Sequence, residues 1–246
     1  MAFQNILPDP NNNIAPAGNS DGTGNAAGPG YASVSLSSVL PSITTRTNSG
    51  STIVRNIAGH KWQLSISYNP LTRAQFEPLY TFLIQKKGSG THFFVELPQY
   101  KNPQNSTFTT FVGSNNFAPT GDLTSGIDNF LISNGSYNSG SNGTPSVGDI
   151  FSITDTNDTN HKKVYMITRV ETSVSADNET SPAPSGVTQL RIHCTPPLQK
   201  AVQASTTTIK FKDVQFRVIN TAKDTGYSLD VDNLYKLSLK LEEAQP

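Results

Sequence analysis

The residues of this chain best suited to chemistry are four histidines, His60, His92, His161 and His193, a lone cysteine, Cys194, and the oxygen-rich run TDTNDTN with Asp155, Asn157 and Asp158. Zinc sites need ligands at short, paired spacings that bring several onto one face. These histidines lie in four separate segments, so each is read as an exposed or strand-edge histidine. Hard oxygens crowd TDTNDTN as they do around calcium, but the glycine and closing bidentate glutamate of an EF-hand are missing. A hairpin loop built on Asx turns is predicted there. Asp230 and Asp232 in SLDVDNLY read in the same way, as turn formers. Cys194 has no second cysteine to pair with and ends the apolar run TQLRIHC, which predicts a small buried hydrophobe.

Other signatures are absent. There is no phosphate loop, no G-x-G-x-x-G after a strand, no H-E-x-x-H and no G-x-S-x-G elbow. Trp62, Tyr80, Phe93 and Phe94 have the chemistry of a sugar-stacking platform, yet their alternation and helical spacing turn them toward one side, as core residues are turned. Asn-x-Ser/Thr triplets begin at Asn105, Asn134, Asn142, Asn157 and Asn178. With no secretion signal in MAFQNILPDPNNN they are read as products of composition. No catalytic, cofactor-binding or metal-binding residue is assigned, and no enzyme is expected.

Composition narrows the class. Of 246 residues, 35% are hydrophobic and only 15% charged, against about 25% charged in ordinary domains. Uncharged polar residues fill the difference, which points to loops and β structure. Eighteen basic residues balance eighteen acidic ones, so neither nucleic-acid recognition nor an anionic membrane surface is expected. No apolar stretch approaches the length of a membrane span.

The strongest element signal is WQLSISY, where Trp62, Leu64, Ile66 and Tyr68 alternate with polar residues as in a half-buried strand. Asn69-Pro70 ends it. Thr72 and Gln75 have capping-box spacing, and Phe76, Leu79, Tyr80 and Leu83 form one helical face. Pro78 is unfavourable inside a helix and is predicted to begin one over 78–86, after a turn at 72–76. THFFVELP follows as a strand. Residues 99–145 lose patterning, with apolar islands at TFTTFV and NFLIS. GDIFSI and KKVYMITRVE predict a hairpin. In TIKFKDVQFRVI the apolar parity switches, which predicts one strand with a bulge near Asp213. Tyr235, Leu237, Leu239 and Leu241 alternate in the last strand.

The order of these pieces resembles the distal tail proteins, or baseplate hub-ring proteins, of tailed bacteriophages. The likeness is carried by Gly59-His-Lys-Trp62 entering a strand, Tyr68-Asn-Pro70-Leu-Thr-Arg73-Ala, Phe82-Leu83 and Val95-Glu-Leu-Pro98. It continues through Val147 to Phe151, Lys163 to Thr168, Leu190 to Leu198, Val214 to Val218 and Leu234 to Glu243.

The resemblance implies a mainly β, tail-tube-like split barrel or sandwich with one helix, an inserted small β-barrel module and an extended N-terminal arm. The expected divisions are an arm at 1–30, a ring domain at 31–98 closed by strands at 205–246, and an inserted module at 103–204. The implied role is a structural subunit of a virion tail, assembled in the host cytoplasm. It would form a six-fold homo-oligomeric ring between the tail tube protein and the tip hub and receptor-binding or fibre proteins. A carbohydrate-binding adhesion module, or a tail-tube or tail-completion ring protein, is the alternative. The Pro/Gly-rich arm has few apolar groups to offset its ordering cost, so it is expected to order only against neighbouring chains.

Overall fold

The computed structural model describes residues 5–12, 27–56, 59–158, 161–173, 181–222, 226–230 and 232–244. In chain order the elements are β1 (Tyr31–Val39), β2 (Ser42–Arg46), β3 (Thr52–Asn56), β4 (Lys61–Tyr68), α1 (Arg73–Gln85), β5 (Phe93–Glu96), α2 (Ser106–Val112), β6 (Ala118–Pro119), β7 (Asn129–Ser133) and β8 (Ile150–Asp155). There follow β9 (Val164–Thr172), β10 (Gln189–Thr195), β11 (Thr207–Lys210), β12 (Gln215–Asn220), β13 (Ser228–Leu229), β14 (Tyr235–Lys236) and β15 (Ser238–Glu243). The protein is mainly β. Two compact units divide it, residues 1–95 with 217–245 and residues 96–216.

In the first unit, β4 is flanked by β1 and β15 in a sheet of order β1-β4-β15-β12-β5. The alternation in WQLSISY is realised, with Trp62, Leu64, Ile66 and Tyr68 buried and Gln63 and Ser65 exposed. Leu64 stands opposite Leu36 on one side and Leu241 on the other, so one strand organises apolar contacts across three.

Helix α1 begins earlier than predicted and carries Pro78 inside it. The Thr72–Gln75 capping box forms, with the Thr72 amide donating to Gln75 Oε1 at 3.2 Å. That cap, with burial of Phe76, Leu79 and Leu83, offsets the one backbone bond that proline removes, which costs about 3 kcal/mol in an uncompensated helix interior.

The described part of the arm also departs from expectation, because it lies on the protein's own sheet. Phe94 donates its amide to Asn5 O at 2.7 Å and Leu7 donates to Phe94 O at 2.8 Å, so Ile6 adds a parallel bridge beside β5. Leu7 is fully buried. Asp9 accepts from the Asn11 and Asn12 amides at 2.7 and 2.8 Å, and Gly28 donates to Asp9 O at 3.0 Å. Residues 1–4 and 13–26 of the expected arm lie outside the described residues.

The second unit is a six-stranded sheet, β11-β8-β9-β10-β7-β6. Phe117 and Ile209 exchange backbone bonds at 3.3 and 2.8 Å, which brings the β6 end to β11 and nearly closes a barrel. Helix α2 stands in this unit where the sequence showed only an apolar island. Asn105 caps it by accepting from the Thr107 and Phe108 amides, and Phe108, Phe111 and Val112 point inward.

The predicted bulge at Asp213 is likewise replaced. Asp213 adopts a left-handed turn at φ 50°, and the chain passes from β11 in one sheet to β12 in the other. Ile209 and Phe211 belong to the barrel core, whereas Phe216 and Val218 lie on β12. The parity switch marks a change of sheet.

Gly28 leaves no room for a side chain, since an added Cβ would fall 2.4 Å from Asp9 N and 2.5 Å from Pro8 C. Gly28→Ala is therefore expected to release the 5–12 segment. Hydrogen exchange should speed up at the Leu7 and Phe94 amides while the amides of β8 and β9 keep their protection.

Candidate functional site

The barrel interior is filled by rings. Phe117 lies 4.9 Å from Tyr137 and 5.7 Å from Phe211, and Phe151 stacks on Tyr165 at 5.4 Å. Cys194 is buried in this core, where burial pushes its thiol up to about 12, so it remains an inert thiol at neutral pH. Burial here matches the sequence reading.

The histidines differ from theirs, since two are core residues. His60 is buried, with its Nε2 2.9 Å from Ser38 Oγ and its ring edge-on to Trp62 at 4.7 Å. His161 is fully buried and shares its Nε2 with the Tyr165 hydroxyl at 3.2 Å; that hydroxyl also accepts from the Gln199 amide at 3.2 Å. Burial, reinforced by the Lys200 ammonium, holds its imidazole down to about 4. His92, half-buried beside Arg217 at 3.3 Å, is lowered by burial and then by Arg217 and Lys86. None of these arrangements brings a nucleophile, base and orienting group together.

The densest charge cluster lies across β9 and β10, where Arg191 faces Glu171 and His193 faces Arg169 in register. Glu171 is almost completely buried, with His193 Nε2 at 3.0 Å, Arg169 Nε at 3.5 Å and Arg191 Nε at 4.0 Å. Arg191 also donates to Asn129 Oδ1 at 2.7 Å and to the Pro182 carbonyl. The guanidinium thus ties β7 and the 181–185 loop to the sheet while neutralising a buried carboxylate.

The acidic loop behaves as predicted where it is described. Asp155 Oδ1 accepts from the Asn157 amide at 2.9 Å, an Asx turn, and Asp158 pairs with Lys200 at 2.8 Å. Residues 159–160 lie outside the described residues. Asp230 takes the Lys236 ammonium at 2.6 Å and closes its turn by donating to Leu234 O at 2.9 Å. Among the described residues no group of three or more His, Cys, Asp or Glu side chains is placed to hold a metal ion, and no helix is long and apolar enough to cross a membrane. The triplet asparagines serve loops: Asn134 Nδ2 donates to Asn116 O at 2.7 Å, and Asn142 Oδ1 accepts from the Asn138 amide at 2.8 Å. Asn178 lies outside the described residues.

The feature that demands a function is an exposed one. Among the described residues, strands β2 and β3 pair only with each other, in the register Ile43 to Arg55 and Thr45 to Ile53. Their tip is well made: Gly50 sits at φ 81°, donates to Thr47 O at 2.9 Å, and Thr47 donates to Ser51 O at 2.9 Å. Yet residues 42–46 and 52–55 are all exposed, and Leu40, Ile43, Ile53 and Val54 are each more than half accessible. A two-stranded hairpin is marginal in water without a surface to pack on, and this one exposes isoleucine on one face and valine on the other. Sequence reading missed it because SITTR and STIVRN are too short and polar to show alternation.

No family model matches the sequence, and no curated protein matches it.

The His161 environment has a pH signature. Its folded pKa lies below the ordinary 6.5, so the unfolded chain takes up the proton first; stability is complete above about pH 6.5 and declines as pH falls toward 4. Urea unfolding should show a loss of about 2 kcal/mol between pH 7.5 and pH 5 from this group, and His161→Gln should flatten that slope. Arg191→Ala leaves Glu171 buried with one cation fewer and is expected to cost about 3–5 kcal/mol in the same assay.

Proposed function

We propose that this protein is a structural subunit of a virion tail, of the distal tail or baseplate hub kind, that assembles head to tail into a closed six-fold ring without catalysing a reaction. The observation that carries the reading is the β2–β3 hairpin, whose apolar side chains have no cover among the described residues. Such a hairpin reaching onto an identical neighbour gains the burial it lacks alone, and a repeated head-to-tail contact closes into a ring.

Three further features support it. The order of sequence segments resembles that family. The nine-residue edge of β1, YASVSLSSV, carries neither charge nor proline, the usual devices that keep an edge from pairing. The zero net charge and low charged fraction of the chain suit close packing of like subunits. In this reading the ring joins the tail tube to the tip hub and receptor-binding or fibre proteins, and the protein resides in the virion.

Multi-angle light scattering and negative-stain micrographs of the full chain test the proposal. Closed rings are the expected result, and a compact monomer at every concentration overturns it. Ile43→Ser with Ile53→Ser, both exposed, should leave near-ultraviolet circular dichroism unchanged and shift the population to monomer.

A further inference from the structure

The five-stranded sheet of the first unit has two margins, and among the described residues only one of them is covered. Beside β5, the Phe94 amide donates to Asn5 O and the Phe94 carbonyl accepts from the Leu7 amide. Along β1, residues 32–39 make no backbone hydrogen bond beyond the ladder with β4. A row of amides and carbonyls left open in this way is satisfied by water or by another extended strand.

The core also stops short at this margin. Val34 and Leu36 stand opposite Ile66 and Leu64, which are fully covered, yet both are only half-buried. On the other face Ser33, Ser35 and Ser37 are exposed next to Ser67, Ser65 and Gln63, and the Ser33 and Ser67 hydroxyls meet at 2.7 Å. A strand that completes this edge must bring branched apolar side chains to one face and small hydroxyls to the other. It finds no charge on β1 to pair with.

Strand β1 itself meets that description. SVSLS at residues 33–37 reads almost alike in both directions. Laid antiparallel on a second copy about a two-fold axis through Ser35, it sets Val34 against Leu36, Ser33 against Ser37 and Ser35 against Ser35. Apolar side chains then pair on the core face and hydroxyls on the wet face. Moving the axis to Leu36 would set Val34 against Ser38, so the pattern selects one register. Pairing of β1 with β5 of another copy is blocked by the 5–7 segment, so edge pairing ends at two copies instead of running on.

We infer that β1 is a self-pairing edge through which two copies join, antiparallel over residues 33–37, into one continuous sheet. The contact is isologous, unlike the head-to-tail ring contact, and does not rest on the ring reading. In a ring-forming chain it joins two rings face to face; in any other it makes a dimer.

Cysteine at the axis tests the pairing in the full chain. Ser35→Cys sets two thiols directly opposite each other, at a Cα separation of about 4.5–5.5 Å that a disulfide can span. Ser65→Cys lies one strand inward on the same exposed face, which puts its two thiols roughly 14 Å apart. The natural Cys194 is buried and unreactive. On a denaturing gel after mild oxidation, Ser35→Cys should run as linked pairs with nothing longer, and Ser65→Cys as single chains. Charge tests the register. Ser33→Lys with Ser37→Lys opposes like charges and should weaken pairing about tenfold in sedimentation, whereas Ser33→Glu with Ser37→Lys opposes unlike charges and should preserve it. A Ser35→Cys chain that does not link, or two charge variants that sediment alike, overturns the pairing, gives the edge to a different partner or to none, and leaves the ring reading intact. Linked pairs without closed rings uphold the pairing and overturn the ring. A wild-type chain that is monomeric at every concentration overturns both.

Discussion

The first unit depends on one constraint: β4 must be paired on both sides at once. Its Trp62, Leu64, Ile66 and Tyr68 face inward only if β1 and β15 hold the register that sets Leu36 and Leu241 opposite Leu64. A slip of one residue would turn every one of those side chains to water. Strand β15 comes from the far end of the chain, more than 170 residues from β4 in register with it, so the core of this unit closes only when both ends of the polypeptide have met. A nearly closed barrel over 96–216 brings its own strands together locally, which lets an insertion fold without disturbing that register.

The two units satisfy their surfaces differently. In the barrel, the Phe117–Ile209 bonds occupy the sheet ends and aromatic rings fill the centre. In the first unit, the 5–7 segment pairs beside β5, while among the described residues the other edge, β1, is flanked only by β4. Apolar groups on β2–β3 and around Tyr227 are left in water. In the ring reading proposed above, the isoleucines left exposed on this well-formed hairpin gain their burial from another copy.

Much of the fold was legible in residue patterns. The alternation of β4 and of β15, the β8–β9 hairpin and the capping box at Thr72 each rest on local chemistry that a few adjacent residues express in full. Helix α2 was hidden because its seven residues show only one apolar turn, and its cap, Asn105, is common in a chain so rich in asparagine. Pro78 misled because its cost is local and visible while the burial of Leu79 and Leu83 that outweighs it is tertiary. The aromatic cluster on α1 was hardly legible at all: Tyr227 lies in turn-rich sequence and Tyr235 reads only as the start of the last strand, and nothing in either states that they meet Phe76.

The sequence by itself determined which short stretches become strands and which side of each is apolar, because period and capping are properties of neighbouring residues. It also determined that no familiar catalytic motif is present. Only the tertiary structure decided which strands share a sheet, that the chain crosses from one sheet to another at Asp213, and that His60 and His161 are buried. It alone left β2–β3 uncovered. These outcomes depend on contacts between residues far apart in the chain, and whether a side chain is covered is fixed by what packs against it, which its neighbours in sequence do not specify.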